Sequence, residues 1–337
     1  MLWAINFCCL AVGEASTLVF FMLGQSNMEG HGLVDGGNGS LAWLVGPSES
    51  QPADWPTLDC KAAAAHREGC DAAGANISAL WSGSNWTESP NVWVDYWGNV
   101  GGTWGTVANG PLQPGYGYDE GHIGPELGFG FALPSDRPVL LLKCAWGGTS
   151  LAFDWRPPSS ANATAPVGWC WTNFTAHARA ALANLTSVYP GYDGTYELGG
   201  VVWHQGWQDG GDRAMAYEYE VNLANLIRDL RTDFGTSLPV SIPVQGTSQG
   251  WKDVVDSRLE IIRAQYNVTT YLPRVAAQET RGFYRDYTET SGACDQVYHW
   301  NCNAESYFYV GTVAAQGITG LINGDWEQPF INTTIPI

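Results

Sequence analysis

An apolar run that leads directly into a serine stands near the start of the chain: Thr17-Leu18-Val19-Phe20-Phe21-Met22-Leu23-Gly24-Gln25-Ser26-Asn27-Met28. The apolar part is typical of a strand buried on both faces, and such strands belong to parallel sheets. Gly24 permits a tight turn that would expose the Ser26 hydroxyl. If a short helix follows, the Ser26 N–H can stabilise an oxyanion. An ordinary strand-to-loop turn has the same local pattern, so other residues must decide the chemistry.

The rest of the chain repeats this kind of strand and alternates it with helical patterns. Apolar runs cover residues 138–143, 198–203, 238–244 and 273–277, and helical periodicity covers residues 174–188, 214–234, 257–266 and 304–322. Strands that alternate with helices predict an α/β protein whose parallel sheet has five strands and helices on both faces. The functional site of such a sheet lies at the carboxyl ends of its strands.

Residues 32–121 do not follow this alternation. They are rich in Gly, Pro and Trp, and their aromatic content argues against disorder. We expect a single domain over residues 16–337, in which residues 32–121 form an ordered insertion that covers the site.

Charge narrows the range of partners. The chain has 337 residues, with 15 Lys and Arg against 33 Asp and Glu, for a formal net charge of −18. It has no basic run, whereas nucleic acids and anionic membrane surfaces both attract clustered cations. We therefore expect neither partner, and an acidic surface suits an extracellular protein that must stay soluble.

Two features predict secretion. Residues 1–15 resemble a short secretory signal, with an apolar stretch and a small-residue end but no positive charge near Met1. No stretch is long enough to span a bilayer. Eight Asn-X-Ser/Thr triplets predict N-glycosylation; they begin at Asn38, Asn76, Asn85, Asn162, Asn173, Asn184, Asn267 and Asn332.

The cysteines agree with an oxidising compartment. Beyond residues 1–15 there are six, and neighbours in sequence predict the pairs Cys60–Cys70, Cys144–Cys170 and Cys294–Cys302. Six cysteines allow 15 pairings, so this is one hypothesis among several. No Cys-X-X-Cys motif or Cys/His cluster indicates a zinc site.

Three further segments carry residues suited to acyl chemistry. After the second predicted strand, Trp146-Gly147-Gly148 can bring a backbone N–H close to a ligand. After the third, His204-Gln205-Gly206-Trp207 offers a side-chain amide, although His204 is equally suited to the core. Late in the chain, the segment from Asp295 to His299 offers a base with a nearby carboxylate. The order of these elements matters more than any one of them.

Together these segments resemble the SGNH-hydrolase superfamily, in the branch of sialate O-acetylesterase-like carbohydrate esterases, including carbohydrate esterase family 6. The matching segments are Gly24-Gln25-Ser26-Asn27-Met28, Gly124-Pro125-Glu126-Leu127, Gly147-Gly148-Thr149-Ser150, Trp203-His204-Gln205-Gly206-Trp207 and the stretch around His299. The resemblance implies a three-layer α/β/α sandwich with a central, mostly parallel five-stranded sheet.

The resemblance also implies residue roles. Ser26 would be the nucleophile, His299 the base and Asp295 the acid, with the oxyanion bound by the N–H groups of Ser26 and Gly148 and by Gln205. Further candidates for substrate contact are Asn27, Trp146, Gly147, His204 and Trp207.

Two positions depart from the family pattern. Trp207 stands where many members have Glu, and Asp295 lies four residues before His299 where members often place the acid three before. Because of the second departure, the identity of the catalytic acid stays open.

The sequence thus predicts a secreted serine esterase that removes O-acetyl groups from carbohydrate. This chemistry needs no cofactor and no metal. Two alternatives stay open: a non-catalytic carbohydrate-binding protein on the same fold, and an esterase for non-sugar acyl esters. Binding alone would not require Ser26, Gln205 and His299 together, and a lipid esterase would need an apolar groove.

Overall fold

The computed structural model describes residues 16–45, 77–192, 194–246, 256–285, 294, 296–331 and 333. Several predictions concern positions outside the described residues: the signal at residues 1–15, the pair Cys60–Cys70, the sequons at Asn76 and Asn332, and the acid Asp295.

The described chain is built on one large sheet with a small two-stranded sheet beside it. The strands are β1 (Thr17–Gly24), β2 (Gly32–Leu33), β3 (Val92–Val100), β4 (Thr103–Pro111), β5 (His122–Ile123), β6 (Val139–Ala145), β7 (Tyr196–His204), β8 (Val240–Pro243) and β9 (Val275–Gln278). Seven of them form the large sheet in the order β4-β3-β6-β1-β7-β8-β9, and β2 pairs with β5. All neighbours in the large sheet run parallel except β3 and β4.

Helices cover both faces of the sheet. They are α1 (Ser26–Glu29), α2 (Leu41–Val45), α3 (Pro125–Ala132), α4 (Trp169–Ala183), α5 (Trp207–Gly210), α6 (Arg213–Phe234), α7 (Asp256–Tyr271) and α8 (Ala304–Asn323). The start of α6 is capped by Asp212, whose side chain accepts from the N–H groups of Ala214 and Met215.

Alternation along the strands divides the core into two halves. In β1, Val19, Phe21 and Leu23 pack towards α4 and α6, while Phe20 and Met22 pack towards α3 and α8. Successive strand side chains point to opposite faces, so an unbroken apolar run is what a sheet covered on both sides requires. Burial of each large apolar side chain stabilises the fold by about 1.5–3 kcal/mol.

The predicted fold class is confirmed, and all five predicted strands belong to the large sheet. The sheet nevertheless has seven strands, because β3 and β4 come from the stretch predicted to be an irregular insertion. The pattern of β3 is broken by Asp95, which is buried because His177 and an amide of Asn109 bind its carboxylate. Local hydropathy could not predict that Asp95 is buried, because the residues that bind its carboxylate lie far from it in sequence.

The cysteines differ in part from the prediction. The pair Cys294–Cys302 is confirmed. The predicted pair Cys144–Cys170 is wrong, since both are free thiols. Each is enclosed in the core, where a cysteine packs as a small apolar residue, and burial raises the pKa of both thiols. Among the described helices, none is long and apolar enough to cross a membrane.

Candidate active site

A cavity of about 740 Å³ opens at the carboxyl edge of the sheet, beyond the ends of β1 and β6. Open α/β sheets bind ligands at this edge. The cavity brings together Ser26, Gly147, Gly148, Trp207 and His299, which the sequence predicted for the site. It is also lined by residues that were not predicted, namely Gln25, Glu29, His31, Leu33, Tyr118, His122, Gln208, Cys294, Gln296, Tyr298 and Cys302.

Ser26 lies just past β1, as the sequence predicted, and begins the short helix α1. The Gln25 carbonyl accepts from the N–H groups of Met28 and Glu29, so the helix starts within one residue of the strand end. Gly24 is required at this turn, because a Cβ there would lie 2.2 Å from the His204 carbonyl oxygen. Ser26 is 7% exposed and faces the cavity. As the first residue of a helix, it has an N–H with no partner inside the helix.

The two glycines after β6 have different roles. The N–H of Gly147 donates to the Glu29 carboxylate, and a Cβ at Gly147 would lie 2.9 Å from a Glu29 oxygen. Gly148 has φ of +70° and is exposed at the cavity, with open space around its Cα. Gly147 is therefore engaged in holding Glu29, which favours Gly148 as the backbone donor to a ligand.

Gln205 lies at the end of β7 but does not reach the cavity. It is 0% exposed, and its Nε2 donates to Asp209 at 2.7 Å, to the Thr149 carbonyl at 3.0 Å and to Gln25 Oε1 at 3.2 Å. All three contacts are acceptors, which fixes the direction of the amide. Gln205 therefore ties the turns after β1, β6 and β7 together beneath the site.

Asp209 completes this network from α5. Its carboxylate accepts from the backbone N–H groups of Leu151 and Ala152, each at 2.9 Å, in addition to the Gln205 amide. Burial raises the pKa of Asp209 to about 6, although these donors oppose the shift. The carboxylate thereby fixes the segment that follows Gly148.

Two predicted substrate contacts are buried and lie outside the cavity. Asn27 is 0% exposed; its amide donates to the Tyr298 carbonyl at 3.0 Å, and its Oδ1 accepts from the Tyr307 hydroxyl at 2.9 Å. Asn27 thus joins the helix of Ser26 to the segment of His299. His204 is also 0% exposed, with Nδ1 at 2.9 Å from the Pro243 carbonyl, as the core alternative anticipated. Burial lowers the pKa of His204 to about 4.

His299 lies in a 3₁₀ segment, Val297–Cys302, close to the Cys294–Cys302 disulfide. Its Nδ1 is 2.6 Å from Gln296 Oε1, and its backbone N–H donates to the Gln296 carbonyl at 2.7 Å. Ser26 and His299 line the same cavity, but no hydrogen bond joins these two described side chains. Catalytic contacts are often loose without substrate and tighten when it binds.

Two further histidines surround His299. The rings of His31 and His299 stack with centroids 3.8 Å apart and planes 6° apart. His122 contacts Asp119 with its Nδ1 at 2.5 Å from the carboxylate. Burial, followed by the charge of His122, lowers the pKa of His299 to about 4. Burial, followed by the charges of His299 and His122, lowers the pKa of His31 to about 2. Both rings are therefore neutral near pH 7.

A buried ion pair supports the helix of Ser26 from below. Lys143 donates to Glu126 Oε2 at 2.7 Å, to the Glu29 carbonyl at 2.7 Å and to the Tyr116 carbonyl at 2.5 Å. The Lys143 and Glu126 side chains are 0% exposed. This pair explains the Gly124-Pro125-Glu126-Leu127 motif, because Glu126 also accepts from the Gly124 N–H.

Of the two tryptophans predicted to contact substrate, only Trp207 lines the cavity. The Arg258 guanidinium lies 3.9 Å from the Trp207 ring centroid, and the Tyr298 ring lies at 5.9 Å. Trp146 is not among the lining residues; it precedes the glycine turn and packs against Trp104 at 5.0 Å and Trp169 at 4.9 Å. We call Trp104, Trp146 and Trp169 the tryptophan cluster.

The β3–β4 hairpin explains how the tryptophan cluster reaches this edge. Trp97 of β3 is level with Cys144 near the end of β6, so the hairpin tip extends past the carboxyl edge of the sheet. Trp104 lies just after that tip, opposite Asn99. Trp169 begins α4 and is 40% exposed.

Sequence reasoning missed Glu29, His31, His122 and Gln296. The positions of Glu29 and His31, three and five residues after Ser26, were the available local signal. Gln296 stands three residues before His299, at the spacing where members often place the acid, whereas His122 had no local signal, since only the fold brings it to the cavity. Among the described residues, no group of three or more His, Cys, Asp and Glu side chains could hold a metal ion.

A mostly parallel sheet covered by helices on both faces, with a serine after β1 and a histidine before the last described helix, is an α/β architecture with its candidate nucleophile and base at one edge. Residues 16–287 match the family described as carbohydrate esterase, sialic acid-specific acetylesterase, and the chain belongs to that family. The matched residues include Ser26, Gly148 and Gln205 and end before His299. The resemblance seen in the sequence is thereby confirmed.

Solved structures with similar folds come from plants and bacteria. A protein from Arabidopsis thaliana is 17% identical, with 90% of this chain and 98% of that chain covered and a TM-score of 0.52. A carbohydrate acetylesterase from Xanthomonas citri is 15% identical, with 91% of this chain and 56% of that chain covered and a TM-score of 0.49. At 17% identity the likeness to the plant protein shows the fold alone. A search of curated protein sequences finds no match.

Proposed function

We propose that this protein is a serine esterase that removes O-acetyl groups from carbohydrate through an acetyl-enzyme. The observation that carries the proposal is that Ser26, Gly148 and His299 line one cavity in a carbohydrate esterase of this family. A nucleophile, a backbone donor and a base are the three groups that acyl transfer from an ester requires.

In the first half of the reaction, His299 Nε2 takes the proton of the Ser26 hydroxyl as Oγ attacks the acetyl carbonyl. The N–H groups of Ser26 and Gly148 stabilise the oxyanion that forms. The carbon–oxygen bond to the sugar then breaks, and the sugar oxygen receives the proton from His299. In the second half, His299 activates a water that attacks the acetyl group, which releases acetate and restores Ser26.

The burial of Gln205 changes its part in this proposal. Its amide already donates to Asp209, Thr149 and Gln25, so we assign it to holding the donor turns in place rather than to the oxyanion itself. Asp295, the acid that the sequence predicted, lies outside the described residues, whereas Gln296 Oε1 lies 2.6 Å from His299 Nδ1.

The sugar is proposed to lie between Trp207 and the tryptophan cluster. Indole faces stack on the apolar faces of pyranose rings. Trp146 adjoins the oxyanion turn, and Trp169 offers an exposed face beside it. A chain of sugars that places its acetyl group at Ser26 could therefore rest a neighbouring ring on the tryptophan cluster.

The charge of the cavity favours a neutral sugar over a sialate. No Lys or Arg is among the described residues that line it, whereas the Glu29 carboxyl is. A sialate carries a carboxylate, which would need a cationic partner in a partly buried site. Trp207 separates the cavity from Arg258, the described cation that stacks on its ring.

The activity is tested with Ser26→Ala and an aryl acetate. We expect hydrolysis to be abolished with an unchanged thermal unfolding curve, whereas Ser187→Ala, on an exposed residue, should leave the rate unchanged. A fluorophosphonate probe should label the native protein and not the Ser26→Ala variant. Activity that survives in Ser26→Ala would overturn the proposal, and a native protein that binds acetylated sugars without turnover would indicate the carbohydrate-binding alternative.

We also propose that the protein is secreted and N-glycosylated. Five of the described sequon asparagines are exposed to solvent, namely Asn38, Asn85, Asn162, Asn184 and Asn267, and Asn173 is half-buried. Peptide N-glycosidase should lower the apparent mass of protein recovered from the medium of eukaryotic cells. Unmodified protein that stays inside those cells would contradict this proposal.

A further inference from the structure

Gln296 stands three residues before His299, and its side-chain oxygen contacts the His299 ring. We propose that Gln296 is the positioning residue of His299, so that a neutral amide replaces the carboxylate of a serine-hydrolase triad. The inference rests on the proposed function and concerns how its base is held.

The local geometry fixes Gln296 against His299 through two contacts. The side-chain oxygen lies 2.6 Å from Nδ1, and the backbone carbonyl accepts from the His299 N–H at 2.7 Å. The same carbonyl accepts from the Asn301 N–H at 3.0 Å, at the start of the 3₁₀ segment. The Cys294–Cys302 disulfide encloses this segment, so Gln296 and His299 are held as one unit.

The chemistry of the contact supplies the tautomer that the reaction needs. An amide oxygen accepts a hydrogen bond, so the Nδ1 that faces it carries the proton. In a neutral imidazole the proton is then absent from Nε2, which is free to act as base. A carboxylate would select the same tautomer and would also stabilise the imidazolium that forms during the reaction. Gln296 selects the tautomer but supplies no negative charge to stabilise the imidazolium.

Among the described residues, no carboxylate forms an ion pair with His299. His31 stacks on its ring, Tyr298 lies 4.5 Å away by ring centroids, and His122 acts on it as a like charge. The Glu29 carboxylate is nearest to His31, at 4.0 Å from Nε2. The orientation of His299 therefore depends on the amide, and a carboxylate placed at residue 296 should strengthen the base.

The kinetic test compares Gln296→Glu, Gln296→Ala and Asp295→Asn. Gln296→Glu keeps the length of the side chain and adds a negative charge, so the acid limb of the kcat/KM profile should move up by about one pH unit or more. Gln296→Ala should lower kcat at least about tenfold without moving KM to the same extent. Asp295→Asn tests the acid that the sequence predicted, and its loss in kcat should be smaller than that of Gln296→Ala. A large loss in Asp295→Asn together with an unchanged Gln296→Ala would overturn the proposal.

A second readout does not depend on activity. In protein labelled with ¹⁵N-histidine, the ring nitrogen shifts show which nitrogen carries the proton, and His299→Asn assigns the signal. We expect a proton on Nδ1 in the native protein and a mixture of tautomers in Gln296→Ala. An unchanged signal in Gln296→Ala would refute the role of Gln296 even if Ser26 proves to be the nucleophile. The ring nitrogen shifts can be interpreted even if the protein proves to have no esterase activity.

Discussion

The imidazole rings of His31 and His299 lie face to face, with centroids 3.8 Å apart and planes inclined by 6°. Two protonated rings could not share this position without strong repulsion, and burial already disfavours their charge. The candidate base is therefore held neutral over a wide range of pH. Burial, together with the charge of His122, lowers the pKa of His299 to about 4, and His299 in turn helps to lower the pKa of the His31 ring stacked on it.

We expect the acid limb of the kcat/KM profile for an aryl acetate to lie near pH 4 rather than near 6.5. The base must be neutral to accept a proton, and the pKa of His299 is lowered to about 4, so activity should hold as pH falls until that value. His122→Asn removes a charge that lowers this pKa and should move the limb upwards. A limb near 6.5 in the native protein would show that His299 is not the base.

The buried histidines His204 and His299 predict that the free energy of unfolding falls in mild acid. The pKa values of His204 and His299 are lowered to about 4, so between about pH 6.5 and pH 4 the unfolded chain binds more protons at these residues than the folded one does. The contribution to the free energy of unfolding should therefore fall as pH falls through that window. Urea titrations at several pH values measure it, and His204→Asn should flatten the slope.

We expect Trp169→Ala to raise KM for an acetylated neutral polysaccharide about fivefold to tenfold, because a stacking contact of about 1 kcal/mol is lost. The rate on an aryl acetate, which cannot reach the tryptophan cluster, should not change. Trp169→Phe keeps an aromatic face and is the matched control. Equal losses on both substrates would place Trp169 in the fold rather than in substrate binding.

The neutral character of the cavity can be tested with two acetylated sugars. An acetylated neutral pyranoside should be hydrolysed with a higher kcat/KM than an O-acetylated sialic acid, because the described lining contains no Lys or Arg to bind the sialate carboxylate. The released acetate is measured in both reactions. A preference for the sialate would contradict the assignment of a neutral substrate, while leaving Ser26 as the candidate nucleophile.

Lys143→Met should lower the free energy of unfolding by about 3–5 kcal/mol, since it leaves Glu126 buried without its charge partner. Adding Glu126→Leu should restore part of the loss. Arg179→Met, which breaks a surface pair with Asp233, is the control and should cost under about 1 kcal/mol. Urea titration at pH 7 measures the free energy of unfolding of each variant. An equal loss in Lys143→Met and Arg179→Met would argue against a stabilising role of the buried pair.

The sequence by itself determined the scaffold and where the chemistry lies along the chain. Apolar runs long enough to be buried on both faces predict β1, β6, β7, β8 and β9, and the placement of Ser26 after the first of them follows from the order of residues. These features are local, because strand formation and the strand-to-helix turn depend on residues close together in sequence.

Only the tertiary structure decided which side chains face one another. Gln205 and Asn27 follow strands as predicted, yet neighbouring turns bind their amides and keep them out of the cavity. The thiols of Cys144 and Cys170 stay free, while Gln296 meets His299. Hydrogen bonds between segments far apart in sequence set the directions of Gln205 and Asn27, and residue type and spacing along the chain carry no record of these bonds. Gln296, by contrast, reaches His299 across three residues of one local turn.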